Sequence, residues 1–211
     1  MATAKKSIPP SVVRRLTKYL AHVQSLCQDG VEWVSSLELA DALGLTSSTV
    51  RQDLSHLEFS GTSKRGYETC GLEKVLRGTL GADTEWRLVV VGAGNLGRAL
   101  ALHQEFARRG FTISGIFDAN ERLVGHRLGP LVVRSLRDLP QVVTQERVEI
   151  GVIAVPAQAA QSVADLLIAT GVKGLLNLAH RHIMAPKRAA VIDVRIMASL
   201  LELAHAIKSR G

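Results

Sequence analysis

Three observations predict an α/β chain in which a small helical domain precedes a doubly wound parallel sheet. The glycine-rich loop Gly92-Ala93-Gly94-Asn95-Leu96-Gly97 follows the apolar run Leu88-Val89-Val90-Val91 and opens a helix. Apolar runs and amphipathic helical stretches then alternate as far as Leu178, the pattern of parallel strands joined by crossover helices. The eighty or so residues ahead of the loop show helical periodicity instead, with two short helices meeting at a tight glycine turn.

Along the chain, Ser11 can cap a first helix running to about Gln28. Val12, Leu16, Tyr19, Leu20, Val23 and Cys27 form its apolar stripe, and Gly30 supplies the stop. Ser35 and Glu38 have capping-box spacing at the start of a second helix that ends at Gly44. Thr46 can cap a third helix, through about Phe59. On it Val50, Leu54 and Leu57 recur at i, i+4 and i+7 and should point into the core, while Ser48, Arg51, Gln52 and Ser55 share another face. Arginine can pair with guanine, glutamine with adenine, and serine can hold phosphate. The glycine-flanked basic stretch Ser60 to Tyr67 has the character of a wing whose Lys64 and Arg65 could reach a phosphate backbone or a minor groove. This order of parts predicts a winged helix with double-stranded DNA as its partner. The competing reading is a three-helix module whose polar face is merely solvated. Leu72 to Leu80 reads as a short helix leading out, and Gly81 to Thr84 as a linker.

In the second half, the first glycine of the loop permits the tight turn. The second lets a pyrophosphate approach the backbone, and the third lets helix and strand pack closely. Asp118 ends the next apolar run about twenty residues on, where an acid can accept from ribose hydroxyls. A dinucleotide or another adenine nucleotide is therefore the expected ligand of a Rossmann-type sheet. The competing reading is a scaffold that binds nothing. A helix over Arg98 to Arg109, strands over Phe111 to Asp118 and Leu131 to Val133, and a helix over Ser135 to Gln145 follow. Next come the run Val148 to Val155, a helix over Ala157 to Thr170 and a strand over Gly174 to Leu178. Val155, Pro156 and Asn177 fall at carboxyl ends of strands, where such sheets bind ligands.

Catalytic chemistry is thin. No serine sits in a nucleophile elbow and no Lys/Tyr pair has dehydrogenase spacing, so no enzyme is expected, a small NAD-dependent oxidoreductase being the lesser alternative. His180 and His182, two apart in a loop with no cysteine nearby, do not make a metal site. A last helix, Ile196 to Ser209, carries the stripe Ile196, Leu200, Leu203 and Ile207, which either packs on its own domain or is buried against a second subunit.

The 211 residues carry a net charge of +7, spread as +2 over residues 1–80, +4 over 81–190 and +1 over 191–211. Any DNA contact must then come from local placement rather than bulk charge. Cys27 and Cys70 are too few and too widely spaced for a disulfide framework or a zinc site, so each is expected to be an ordinary thiol. The stretch Met1 to Pro10 has no signal-peptide core, and no apolar run approaches a membrane span, so a soluble cytoplasmic protein without a membrane partner is expected.

With these parts in place the chain resembles the Rex family of redox-sensing transcriptional repressors. The resemblance rests on Ser47-Ser48-Thr49-Val50-Arg51-Gln52-Asp53-Leu54-Ser55, Lys64-Arg65-Gly66, Gly92 to Gly97, Phe117-Asp118, Val155-Pro156-Ala157-Gln158-Ala159-Ala160-Gln161 and Leu176-Asn177-Leu178-Ala179. It implies a winged-helix domain over 1–81, a Rossmann domain over 85–194 and, over 195–211, a helix exchanged between the subunits of a homodimer. It further implies a palindromic operator that is released when NADH replaces NAD. Ser48, Thr49, Arg51, Gln52, Ser55, Lys64, Arg65 and Gly66 become DNA-binding residues. Gly92, Ala93, Gly94, Asn95, Leu96, Gly97 and Asp118 become the adenosine and pyrophosphate site, with Val155, Pro156 and Asn177 toward the nicotinamide. The family commonly has a lysine where this chain has Gln52, and its wing is slightly shorter. It couples nicotinamide state to domain rotation through an arginine, a tyrosine and an Asp-Phe pair, at positions that here hold Ala21, His103 and Arg195-Ile196. The adenosine half thus matches while the sensing half departs, which leaves a dimer answering to another adenine nucleotide, or to none, as the alternative.

Overall fold

In the computed structural model, which describes residues 8–209, the chain divides between Thr84 and Glu85 into two units. Residues 1–7 of the stretch read for signal-peptide character, and the last two residues, lie outside the described residues. The first unit contains α1 (Pro10–Gln28), β1 (Trp33–Val34), α2 (Ser36–Leu43), α3 (Ser47–Leu54), β2 (Tyr67–Glu68) and α4 (Thr69–Leu80). Helix α1 starts on a proline rather than behind a Ser11 cap, because proline has its φ preset and loses no needed N–H in a first turn. Val12, Leu16, Tyr19 and Val23 are its buried stripe. Both bonds of the Ser35–Glu38 capping box form, Gly44 ends α2 at φ 65°, and the Thr46 hydroxyl accepts from the Thr49 N–H. Helix α3 stops at Leu54 and not near Phe59. The Ser55 hydroxyl donates back to the Gln52 carbonyl, and the following N–H groups of His56 and Leu57 bond three residues back instead of four, tightening the chain into turns. A short antiparallel pair, Trp33 opposite Glu68 and Val34 opposite Tyr67, anchors the wing. The cysteines are not separate thiols as expected. Packing α1 against α4 brings the last turn of one beside the first turn of the other, and Cys27 and Cys70 form a disulfide with Cα atoms 5.5 Å apart.

The second unit is built on seven strands in the order β5-β6-β4-β3-β7-β8-β9. They are β3 (Trp86–Val91), β4 (Phe111–Asp118), β5 (Arg127–Leu128), β6 (Leu131–Ser135), β7 (Ile150–Ile153), β8 (Gly174–Asn177) and β9 (Ala190–Asp193). All neighbours are parallel except β5 with β6. Leaving β5 aside, this is the order of doubly wound dinucleotide-binding sheets, with its reversal point between β3 and β7. Helices α5 (Asn95–Ala101), α6 (Glu105–Arg108), α7 (Leu139–Gln145), α8 (Ala160–Ala169) and α9 (Ile196–Lys208) complete it. Alternate residues of β3 serve two layers. Val89 and Val91 join Leu139, Val163 and Leu167 on one face, while Leu88 and Val90 join Ala101, Leu128 and Val133 on the other. The single helix expected over Arg98 to Arg109 is two pieces, because the His103 ring accepts the Glu105 N–H at 3.3 Å and starts a new turn. Strand β9 was not anticipated: four residues on a half-exposed edge carry too short a pattern to register.

Helix α3 is held to α1 by a buried carboxylate. Asp53, 2 % exposed, accepts two bonds from the Arg15 guanidinium (2.6 and 2.7 Å) and one from the Tyr19 hydroxyl (2.8 Å). Burial alone would push the carboxyl up, but these bonds outweigh it and hold Asp53 below the usual carboxylate range, while burial and the Asp53 bond push the Tyr19 phenol up. Asp53→Ala should destabilise the first unit by about 3–5 kcal/mol, since it strands the other two groups. A carboxyl with a lowered folded value stabilises fully above its unfolded value of about 4, and that stabilisation is lost as pH falls through the folded value. Urea midpoints at neutral and strongly acid pH check both statements: the variant should be weaker at neutral pH and should lose less on acidification.

Candidate functional site

The polar face of α3 is free. Ser48, Arg51, Gln52 and Ser55 are exposed, with Asp53 and Leu54 turned inward. Arg51 is steadied by a bond to the Ser36 hydroxyl at 3.1 Å, and the Thr49 hydroxyl is held at the helix cap by Thr46. The wing closes as a tight turn: Thr62 and Gly66 exchange backbone hydrogen bonds, and Lys64 sits at the tip with φ 63°. Lys64 and Arg65 are both exposed. The Arg65 guanidinium lies 4.2 Å from the centre of the Trp33 ring and 4.0 Å from the Glu32 carboxylate, so a stacked cation is presented at the wing base. Gly66 is required, since at φ 97° a Cβ would run into the Val34 carbonyl. The sequence alone assigns no role to Trp33 or Asp53. Asp53 left a signal, an acid at i+3 on the Val50 face otherwise filled by Leu54 and Leu57.

In the second unit the glycine loop leaves β3 at the reversal point of the sheet. Gly92, at φ 107°, lies against the Ala154 carbonyl beyond β7, and Gly97 lies against the Gly92 carbonyl, so a Cβ on either would collide with backbone. Gly94 differs: nothing lies within 4 Å of where its Cβ would be. Protein packing therefore accounts for the first and third glycines and not for the second. Gly94, Asn95 and Leu96 are exposed at the start of α5, whose first N–H groups have no partner within the helix. Asp118 holds the loop, one oxygen accepting from the Ala93 N–H (2.7 Å) and the other from the Asn120 N–H (2.8 Å). Beside the loop is a cleft of about 330 Å³ lined by Ala93, Arg98, His126, Arg127 and Leu128. Two of these are fixed cations that the sequence reading left unassigned.

At the far ends of β7 and β8 the expected residues separate. Val155 lies beside Gly92, and Pro156 is exposed where the chain turns toward α8. Asn177 is fully buried. Its amide donates to the Arg181 carbonyl (2.8 Å) and to Asp193 (2.6 Å) and accepts from the Ala179 N–H (3.1 Å), so it organises the loop between β8 and β9. Asp193 also meets His182 at 3.3 Å and Arg195 at 3.4 Å. Burial works against its charge, but the bonds from Asn177, His182 and Arg195 prevail and hold the carboxyl below the usual range. Arg195 is thereby tied down at the start of α9. Ala21 and His103 are exposed, and Ile196 begins a helix with no buried residue. Among the described residues no cluster of three or more His, Cys, Asp or Glu is placed to hold a metal ion.

Two family models match the chain: one described as "CoA binding domain" over residues 83–180, and one described as "Putative DNA-binding protein N-terminus" over residues 7–55. The chain is 40 % identical to the redox-sensing transcriptional repressor Rex of Syntrophomonas wolfei, over 96 % of this chain and 98 % of that one. It is 38 % identical to the protein of the same name from Carboxydothermus hydrogenoformans, over 95 % and 97 %. Among solved structures it is similar to RSP, a Rex-family repressor. The complex of RSP with β-NAD+ and operator DNA matches at a TM-score of 0.91 and 30 % identity, covering 97 % of this chain and 94 % of that one. The complex with β-NADH matches at 0.88 and 31 %, covering 97 % of each.

The glycines make separable predictions. Gly97→Val should fail to fold or melt far below the parent, because its side chain has only the Gly92 carbonyl to displace. Gly94→Val should melt with the parent yet lose adenine dinucleotide binding in a calorimetric titration. Unchanged binding in that folded variant would refute the placement of the ligand.

Proposed function

The chain belongs to the Rex family of redox-sensing transcriptional repressors, and from that premise we propose that it is a DNA-binding repressor governed by the NADH/NAD balance. The observation that carries this reading is Gly94, a glycine no protein contact requires, at the one point of the sheet where a dinucleotide's pyrophosphate would meet backbone N–H groups. Gly92 and Gly97 shape the turn around it. Asp118, with a lone pair left on each oxygen, would take the adenosine ribose, and Arg98 and Arg127 would face the phosphates. The nicotinamide half would extend toward Val155 and Pro156, with Asn177 as a positioning residue behind them. Bound dinucleotide supplies a redox-dependent charge and shape. The chain's own part is to hold it and to bind DNA with a different affinity in each state, because a ligand shifts an equilibrium only by its differential affinity.

In the first unit Arg51 and Gln52 would read base edges. Ser48 and Ser55 would contact phosphates, the Thr49 hydroxyl would hold the helix cap, and Lys64 and Arg65 would lie along the backbone, with Gly66 shaping the wing. Ile196, Leu200, Leu201, Leu203 and Ile207 of α9 are each more than half exposed, an apolar face that a second copy would cover. A homodimer exchanging this helix would present two recognition helices to a palindromic operator. The role is regulatory rather than enzymatic, and it is exercised in the cytoplasm. A second reading is favoured by the pairing of Arg195 with Asp193: with Arg195 engaged and Ile196 offering no ring, NADH and NAD would act alike.

The test uses a labelled duplex selected by the full chain from a random-sequence library. At matched salt NADH should weaken binding strongly and NAD should not. Equal affinities would favour the second reading, and failure to select any sequence would overturn DNA binding. Arg51→Ala should cost about 1–3 kcal/mol at one base pair and relax specificity there, a pattern a phosphate contact would not produce. Leu203→Glu should convert the dimer to monomer in light scattering and lower operator affinity with it.

A further inference from the structure

The Cys27–Cys70 bond closes a loop that contains α2, α3 and the wing, and hence every residue assigned above to DNA. The helices it joins also hold that surface: α1 grips α3 through Asp53, and α4 follows directly on β2 at the base of the wing. Cys70 is exposed and Cys27 half-buried, so reagents in solvent reach the bond. In a cell compartment where DNA is bound, thiol reductants make structural disulfides rare, and an exposed one is of the exchangeable kind.

We propose that Cys27 and Cys70 form a thiol–disulfide exchange site that sets the operator affinity of the winged-helix unit, apart from the nucleotide site; this rests on the DNA-binding reading above. A dithiol reductant attacks the exposed Cys70 sulfur and expels the Cys27 thiolate. Its second thiol then resolves the mixed disulfide and releases the Cys70 thiolate. The protein gains two electrons and two protons, and the dithiol leaves as its disulfide. In the reverse direction hydrogen peroxide oxidises the Cys70 thiolate to a sulfenic acid. The Cys27 thiolate displaces its oxygen as water, re-forming the bond, so two thiols and one peroxide give one disulfide and two waters. The bridged unit has fewer alternative conformations, and so loses less freedom when α3 and the wing settle on DNA.

The experiment compares the full chain treated with dithiothreitol or with hydrogen peroxide, without nucleotide and at matched salt. Titratable thiols and affinity for the selected duplex are both measured. The reduced form should show both thiols and the oxidised form none, and the oxidised form should bind about 3- to 10-fold tighter, the equivalent of one side chain less to immobilise. The Cys27→Ser/Cys70→Ser double variant, checked for folding by its circular dichroism melt, should bind like the reduced parent after either treatment. Thiols that stay titratable after peroxide would overturn the proposal, as would equal affinities of the two forms. If the thiols respond as expected but neither form binds any selected duplex, the DNA-binding reading itself fails and the affinity switch with it.

Discussion

Helix α5 lies against the Gly92 carbonyl with only the hydrogen of Gly97 between them, and the carboxyl end of the parallel sheet depends on that approach. Gly92 in turn rests on the Ala154 carbonyl, so β3, the turn, α5 and the end of β7 are locked backbone to backbone. Any side chain at Gly92 or Gly97 would force these elements apart and carry the loop away from the reversal point of the sheet. Asp118 secures the same loop from the opposite neighbour, β4, through the Ala93 N–H. What remains open inside this frame is the space at Gly94, the point at which the proposed dinucleotide would approach the backbone.

The first unit solves a different problem, that of aiming a helix of eight residues. Apolar contacts from Val50 and Leu54 bury one face of α3 but leave it free to roll. A carboxylate that must find donors does not allow rolling. Asp53 meets Arg15 and Tyr19, one turn apart on α1, and its three bonds fix the face that carries Ser48, Arg51 and Gln52 outward. The wing is fixed by comparably specific devices: the Gly66 backbone packed on Val34, and Arg65 stacked on Trp33. Helix α1 is the common reference, holding α3 by an ion pair and α4 by a disulfide.

The departures from the family pattern gain physical content from the network at the end of β9. Arg195 does not project as a free charge. It shares Asp193 with Asn177 and His182, and so belongs to the scaffold from which α9 leaves. A change in charge near Asn177 would be felt at the root of α9, the helix whose apolar face is exposed.

Legibility followed the range of the interactions. The capping box at Ser35 and Glu38, the Thr46 cap, the Gly44 stop, the alternation within β3 and the glycine loop all act within a few residues. The sequence by itself therefore determined those elements, the strand that feeds the glycine loop and the glycines that shape its turn. It could not determine where α3 ends or that the helix after the loop breaks at His103, since side-chain bonds of single residues outweigh a weak periodicity there. Nor could it pair Cys27 with Cys70 or Arg15 with Asp53, partners 43 and 38 residues apart. Those pairings were decided by tertiary structure alone, because only the packing of α1 against α3 and α4 brings such distant side chains within bonding distance.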